Sequence, residues 1–327
     1  MADVTREASA GPDDPAEIVE RLVAGDRRAL ARAISAVENG TEIGEALIRE
    51  AFPRAGSAPV VGITGPSGAG KSTLVDGLTA VYRRDDVSIG VLAIDPTSPF
   101  TGGALLGDRV RMQRHSEDSG VYVRSMATRG AMGGLAAAVY DTLVLLSVAG
   151  FDRLLVETVG VGQDEVDVAG VADTTCVVLT PVGGDEVQAI KAGIMEIADI
   201  YVLNKSDMPG TDRAEAQLHA WVTRVGDDEW SPPIVRTVAT QGDGLQELAD
   251  AIAAHENWYR SSGRAEGKRR TLAKMRLRTL LRERLLTVAR SRGFDGARED
   301  ALIDAIAQGD LDPHTAAEQV VREVLGT

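Results

Sequence analysis

The sequence predicts an α/β protein, a mostly parallel sheet with helices on both faces, extended by helical segments at its N- and C-terminal ends. Two observations predict it. From Val60 onward, short apolar runs alternate with helical segments, the signature of strand–helix crossovers in a parallel sheet. The first run, Val60-Val61-Gly62-Ile63-Thr64, feeds directly into Gly65-Pro66-Ser67-Gly68-Ala69-Gly70-Lys71-Ser72, which has the G-x-x-x-x-G-K-S spacing of a phosphate-binding loop. A strand before that loop and a helix after it (Ser72–Tyr82) specify the P-loop NTPase form of the α/β class.

Each element follows from local signals. About 15 residues at the start are polar and Pro/Gly-punctuated and are expected to be disordered. Ile18, Val19, Leu22 and Val23 then share a helical face. Asp26 is the expected N-cap of a helix over Arg27–Glu38, with Asn39-Gly40 as its stop. Thr41–Phe52 reads as a third helix ended by Pro53, and Arg54–Pro59 as a linker, so residues 1–57 form a helical extension. Residues 58–258 form the nucleotide domain, with further strands at Ser88–Asp95, Val121–Ser125, Asp152–Glu157, Thr174–Thr180, Ile200–Asn204 and Ile234–Val238. Helices are expected over Gly133–Ala149, Asp185–Ala198 and Asp212–Val225. Arg260-Ser261-Ser262-Gly263 marks a break, and residues 259–327 form a C-terminal helical arm. Its main helix, Lys268–Arg290, has Leu272, Met275, Leu281, Leu285 and Val288 as apolar positions. Two short helices within Asp295–Leu325, divided by Asp312-Pro313, complete it. Between Arg264 and Arg292 there are 11 Lys or Arg against two Glu, which reads as the solvated face of a dimerising helix.

Composition excludes several classes. Hydrophobic residues make up 44% and aromatics 4%, so the core must be built from Ala, Val, Leu and Ile. A formal net charge of −14 argues against nucleic acid as a partner. The single cysteine, Cys176, sits in the apolar run Thr175–Leu179, where a buried strand position is expected; it excludes a disulfide framework and a Cys-based metal site. No stretch reaches about 18 uninterrupted apolar residues, the length of a membrane helix. The N-terminal segment has neither an apolar signal core nor the Arg-rich, acid-poor character of a transit peptide. A soluble cytoplasmic protein without a membrane partner is expected.

The motifs choose the nucleotide. In the loop, Gly65, Pro66, Ser67, Gly68, Ala69 and Gly70 would present backbone N–H groups to phosphates at a helix N-terminus. Lys71 would reach the β- and γ-phosphates, Ser72 would take one position on Mg²⁺, and Thr73 continues the contact surface. Asn204-Lys205-Ser206-Asp207 follows the strand Ile200–Leu203 in the N-K-x-D pattern of guanine-specific sites. Guanine offers donors at N1 and N2 that the Asp207 carboxylate can accept together. Adenine lacks that pair, and the unsatisfied carboxylate can discriminate by about four to five orders of magnitude. Asn204 would hold the neighbouring loop, the Lys205 stem would lie along the base, and Val238-Ala239-Thr240 fits the loop whose backbone contacts guanine O6. Glu157-Thr158-Val159-Gly160 stands where GTPases carry D-x-x-G, with Glu in place of Asp. Its carboxylate would act on Mg²⁺ and the Gly160 N–H on the γ-phosphate. Asp95 and Asp108 are further candidates for the metal shell. GTP, GDP and Mg²⁺ are therefore the expected ligands, with Lys71, Glu157 and Asp108 the expected catalytic groups.

With these residues in place, the chain resembles the methylmalonyl-CoA mutase-associated GTPases, also called ArgK-type proteins. The matching stretches are Gly65–Ser72, Asp95-Pro96-Thr97-Ser98, Thr101-Gly102-Gly103 with Leu106-Gly107-Asp108, Glu157–Gln163, Gly184-Asp185-Glu186 with Gln188, Lys191, Gly193 and Ile194, and Asn204–Asp207. The resemblance implies a homodimer formed through the C-terminal arm. It also implies a GTP-gated chaperone that delivers cofactor to an adenosylcobalamin-dependent acyl-CoA mutase, methylmalonyl-CoA mutase first among them, with its adenosyltransferase as a further partner. Asp185–Lys191 would be a third switch loop signalling to the mutase. Slow intrinsic hydrolysis, accelerated by a partner that orders the switch loops, is expected. Two alternatives are an ArgK-type kinase using the same loop, and a nucleic-acid-associated GTPase using the basic arm.

Overall fold

The computed structural model describes residues 14–95, 115, 117–127, 134–158, 164–181, 192–225 and 230–326. The chain forms two compact units, one ending at Gly267 and the other beginning at Lys268. In the first, α1 (Pro15–Val23), α2 (Arg27–Glu38) and α3 (Glu42–Ala51) are capped by Asp14, Asp26 and Thr41. The Asp26 carboxylate accepts from the Arg28 and Ala29 N–H groups and also holds the Arg21 guanidinium. The helix expected through Phe52 stops at Ala51, and Phe52–Arg54 is a 3₁₀ turn. Pro53 has no N–H to contribute to a continuing helix but fits the start of a new turn.

The sheet holds seven strands: β1 (Val60–Thr64), β2 (Ile89–Asp95), β3 (Val121–Ala127), β4 (Arg153–Thr158), β5 (Thr174–Leu179), β6 (Ile200–Asn204) and β7 (Ile234–Thr237). Their order is β3-β2-β4-β1-β5-β6-β7, and every neighbouring pair is parallel. The helices between them are α4 (Lys71–Arg84), α5 (Gly134–Val148), α6 (Asp164–Val171), α7 (Ala192–Glu196), α8 (Thr211–Val225) and α9 (Leu245–Ser261). Of the helix expected over Asp185–Ala198, the described part is α7; the remainder lies outside the described residues.

Strand alternation sorts side chains onto two covered faces. On one, Val60, Leu154 and Val156 pack with the N-terminal helices, α5 and α6. On the other, Val61, Ile63, Leu155, Cys176 and Val202 pack with α4 and α9. A third apolar group, including Val177, Leu179, Tyr201 and Leu218, lies under α7 and α8. Both faces being buried explains why the strands read as apolar runs rather than as polar–apolar alternation. Burial pushes the Cys176 thiol well above its ordinary value, which leaves it a packing residue. The register sets Ile63 of β1 beside Glu157 of β4, so the carboxyl ends of the central strands converge at one rim.

The second unit contains most of α10 (Arg264–Ser291), with α11 (Gly296–Gln308) and α12 (Pro313–Leu325). Arg298 pairs with Glu323 at 2.6 Å across the last two helices. Of the apolar positions expected on the long helix, Met275, Leu281, Leu285 and Val288 are exposed among the described residues, as is Leu277, while Leu272 is half-buried. No helix among the described residues is long and apolar enough to cross a membrane.

Candidate nucleotide site

The loop between β1 and α4 is shaped by backbone that side chains cannot follow. Gly65 has φ +138°, and a Cβ there would lie 2.2 Å from the Val178 carbonyl oxygen. Gly70, at φ +91°, caps α4 without any side-chain hydrogen bond, and a Cβ would meet Asn204 Nδ2 at 2.4 Å. The first turn of α4 therefore directs its N–H groups at the loop's concavity, the arrangement that favours phosphate. Lys71 is buried and bends back over the loop, donating to the Gly65 and Pro66 carbonyls at 2.6 and 2.9 Å. Its ammonium thus stands inside the concavity. Pro66, Ser67, Gly68 and Ala69 complete the turn, with Ala69 buried beneath it.

Beside the loop, Ser72 Oγ donates to Glu157 Oε1 at 2.5 Å, and both side chains are buried. Asp95, also buried, ends the neighbouring strand β2. This is an all-oxygen donor set, which suits a hard cation. Among the described residues no group of three or more His, Cys, Asp or Glu could hold a metal by itself. Mg²⁺ uses one or two carboxylates and takes its remaining ligands from water and phosphates. Asp108 and Gly160 lie outside the described residues, as do Gln163 and Asp185–Lys191. One buried pair here was not expected from sequence: Thr158 Oγ1 donates to Thr64 Oγ1 at 3.0 Å.

The second half of the site is a cavity of about 240 Å³ lined by Gly70, Thr73, Asn204, Lys205, Asp207, Met208, Val238, Ala239 and Thr240. Eight of these nine residues come from the sequence motifs; Met208 is the addition. Asn204, 2% exposed, is the keystone. Its Nδ2 donates to the Ala69 carbonyl at 2.8 Å, and its Oδ1 accepts from Thr237 Oγ1 and the Ala239 N–H, both at 3.1 Å. Lys205, at φ +59°, reaches the Gly68 carbonyl with Nζ at 2.8 Å. The phosphate loop and the base-side loop are thereby tied together twice. Asp207 stands exposed at the cavity rim, where its carboxylate can accept paired donors from a ring edge.

Comparison with known proteins agrees with this geometry. A family model described as "Methylmalonyl Co-A mutase-associated GTPase MeaB" matches residues 30–293. A Pyrococcus abyssi protein named as a GTPase is 48% identical over 314 residues, covering 95% of this chain and 97% of the relative. The mouse protein "Methylmalonic aciduria type A homolog, mitochondrial" is 37% identical over 273 residues, covering 78% of this chain and 66% of the relative. A crystal structure titled "LAO/AO transport system kinase" superposes with a TM-score of 0.71 at 25% identity, covering 98% of this chain and 100% of that one. The seven-stranded P-loop fold, the loop and these relatives agree: the chain is a GTPase and belongs to the methylmalonyl-CoA mutase-associated GTPase family, MeaB.

Proposed function

We infer that the protein binds GTP with Mg²⁺ at this site and hydrolyses it slowly alone. The cycle assists an adenosylcobalamin-dependent acyl-CoA mutase, methylmalonyl-CoA mutase being the first candidate. The observation that carries the nucleotide reading is Asn204, bonded at once to Ala69 of the phosphate loop and Ala239 of the base-side loop. The client rests on the family description and on the mouse relative's name.

Lys71 leaves the Gly65 and Pro66 carbonyls for the β- and γ-phosphate oxygens, an ion–ion contact stronger than the ammonium–carbonyl bonds it replaces. Ser72 and Glu157, with Asp95 and Asp108, would hold Mg²⁺, whose charge would offset that of the phosphates. The Gly160 N–H would serve the γ-phosphate. Asp207 takes guanine N1 and N2, the Lys205 stem covers the base, and the Val238-Ala239-Thr240 backbone faces O6. Phosphoryl transfer needs positioning and charge neutralisation more than covalent chemistry, and these residues supply both.

Residues 259–327 serve as a dimerisation arm, supported by the exposed Leu277, Leu281 and Leu285 of α10. The protein works in the cytoplasm, with the mutase's adenosyltransferase as a second contact. The test is GTP hydrolysis by the purified protein with and without the mutase, ATP serving as control. Stimulation with GTP only supports the assignment; none overturns the client. A radiolabelled phosphate arm addresses the kinase title of the solved structure, since label on an acceptor other than water would mark kinase chemistry.

A further inference from the structure

Glu157 and Thr158 are consecutive residues at the end of β4, and each bonds a residue at a different root of the phosphate loop. Glu157 accepts from Ser72 at 2.5 Å, where the loop enters α4. Thr158 donates to Thr64 at 3.0 Å, where β1 delivers the chain into the loop. All four side chains are buried, the two threonines completely. The backbone ladder between β1 and β4 ends at the Ile63–Glu157 pair. The threonine bond joins the two strands one residue beyond that point.

The two bonds stand differently toward an ion. Mg²⁺ keeps several of its waters, so the Ser72 hydroxyl can hold the ion through its oxygen while its proton goes to a Glu157 carboxylate that reaches the ion through water. The threonine bond, at the loop's other root, joins no group given to the ion and acts on where the end of β4 sets Glu157.

We propose that Thr158 is a positioning residue: through Thr64 it holds the end of β4, and Glu157 with it, in register with the phosphate loop, where the carboxylate serves the ion. It thereby sets how strongly Mg²⁺ tightens guanine-nucleotide binding. The proposal rests on the reading of Ser72 and Glu157 as metal-side residues. Without the hydroxyl, β4 is released from β1 beyond the Ile63–Glu157 pair, and the carboxylate is no longer held where it serves the ion.

The experiment measures the dissociation constant of a fluorescent GDP with Mg²⁺ and with EDTA, for wild type, Thr158→Val, Thr158→Ser and the Thr64→Val/Thr158→Val double variant. Thr158→Val should leave the EDTA value nearly unchanged and lose about fivefold of the Mg²⁺-dependent tightening, the worth of one neutral hydrogen bond. Thr158→Ser, which keeps the hydroxyl, should behave as wild type. The double variant replaces both partners by apolar groups, so its thermal stability should recover relative to the single valine variant while the Mg²⁺ effect stays lost. Three results would overturn the proposal: full Mg²⁺ tightening in Thr158→Val, equal loss in the serine variant, or parallel weakening with and without the ion. A wild-type protein whose GDP affinity ignores Mg²⁺ would overturn the metal-side reading itself, and this proposal with it.

Discussion

Replacing Asn204 by Ala removes three hydrogen bonds from a side chain only 2% exposed. A neutral hydrogen bond contributes about 1 kcal/mol net, and a buried group left without its partner costs about 1–3 kcal/mol. The Ala69 carbonyl, the Ala239 N–H and the Thr237 hydroxyl all lose this partner. Because the amide borders an open cavity, water can re-satisfy some of them, so about 3 kcal/mol is the expected total. For a unit of this size that lowers the melting temperature by about 6–12 °C. The base-side loop loses its anchor as well, and about 3 kcal/mol corresponds to an affinity about 100-fold weaker. Thermal unfolding of the nucleotide-free protein and GDP titration measure the two effects. Thr237→Val, which removes one of the three contacts, should fall between wild type and Asn204→Ala in both assays. Asn204→Asp keeps the acceptor but sets a carboxylate oxygen against the Ala69 carbonyl, so it should be no better than alanine. A melting temperature within 2 °C of wild type, with GDP affinity retained, would refute the claim that this residue joins the two loops.

Asp207→Asn should weaken GTP and GDP by at least about 100-fold and leave ATP unchanged, measured by competition with a fluorescent nucleotide; parallel losses for GTP and ATP would remove its role at the base. Lys71→Ala should abolish phosphate binding, so that GTP binds no better than guanosine in the same assay. Gly65→Ala sets a Cβ 2.2 Å from the Val178 carbonyl at φ +138°, and circular dichroism should show loss of the cooperative fold or a melting temperature lowered by more than 10 °C. Asp26 is held down to about 2 by the Ala29 and Arg28 N–H groups and by Arg21, from an ordinary 3.8. Its depressed value means that the folded state favours the carboxylate; the stabilisation is complete above the unfolded value and is lost as pH falls from about 5 toward 2. Asp26→Asn should flatten that part of the melting-temperature profile.

How much of this was legible in sequence depended on how local each signal is. The strand–loop–helix unit was readable because its glycines and Lys71 obey a fixed spacing, and the N-cap Asp26 because capping acts within one turn. The base-side motif was readable for the same reason, including Asn204 as a tie to the neighbouring loop, although nothing in four residues reveals that the same amide also holds Thr237 and Ala239. The Thr64–Thr158 bond was not readable, since it joins residues 94 apart through two common side chains with no spacing rule. Met208 was missed because a methionine beside Asp207 carries no polar signature. The long arm helix was correctly expected as a helix, but periodicity cannot say whether Leu281 and Leu285 meet another part of the chain or stay exposed, and they stay exposed. The end of α3 moved by one residue because proline starts a 3₁₀ turn as readily as it stops an α-helix.

The sheet order also governs how the protein is made. The central strand β1 is hydrogen-bonded to β4 and β5, whose partner residues follow it by 94 and 113 positions. A ribosome adding 5–20 residues per second needs about 5–20 s to supply the first of them. For that interval Val60–Thr64 leaves the exit tunnel with both ladder edges unmade, an apolar strand able to pair with other chains. Nascent chains ending before Arg153 therefore carry the whole phosphate loop without either strand that flanks it. They are the species in which a trigger-type chaperone has most to protect.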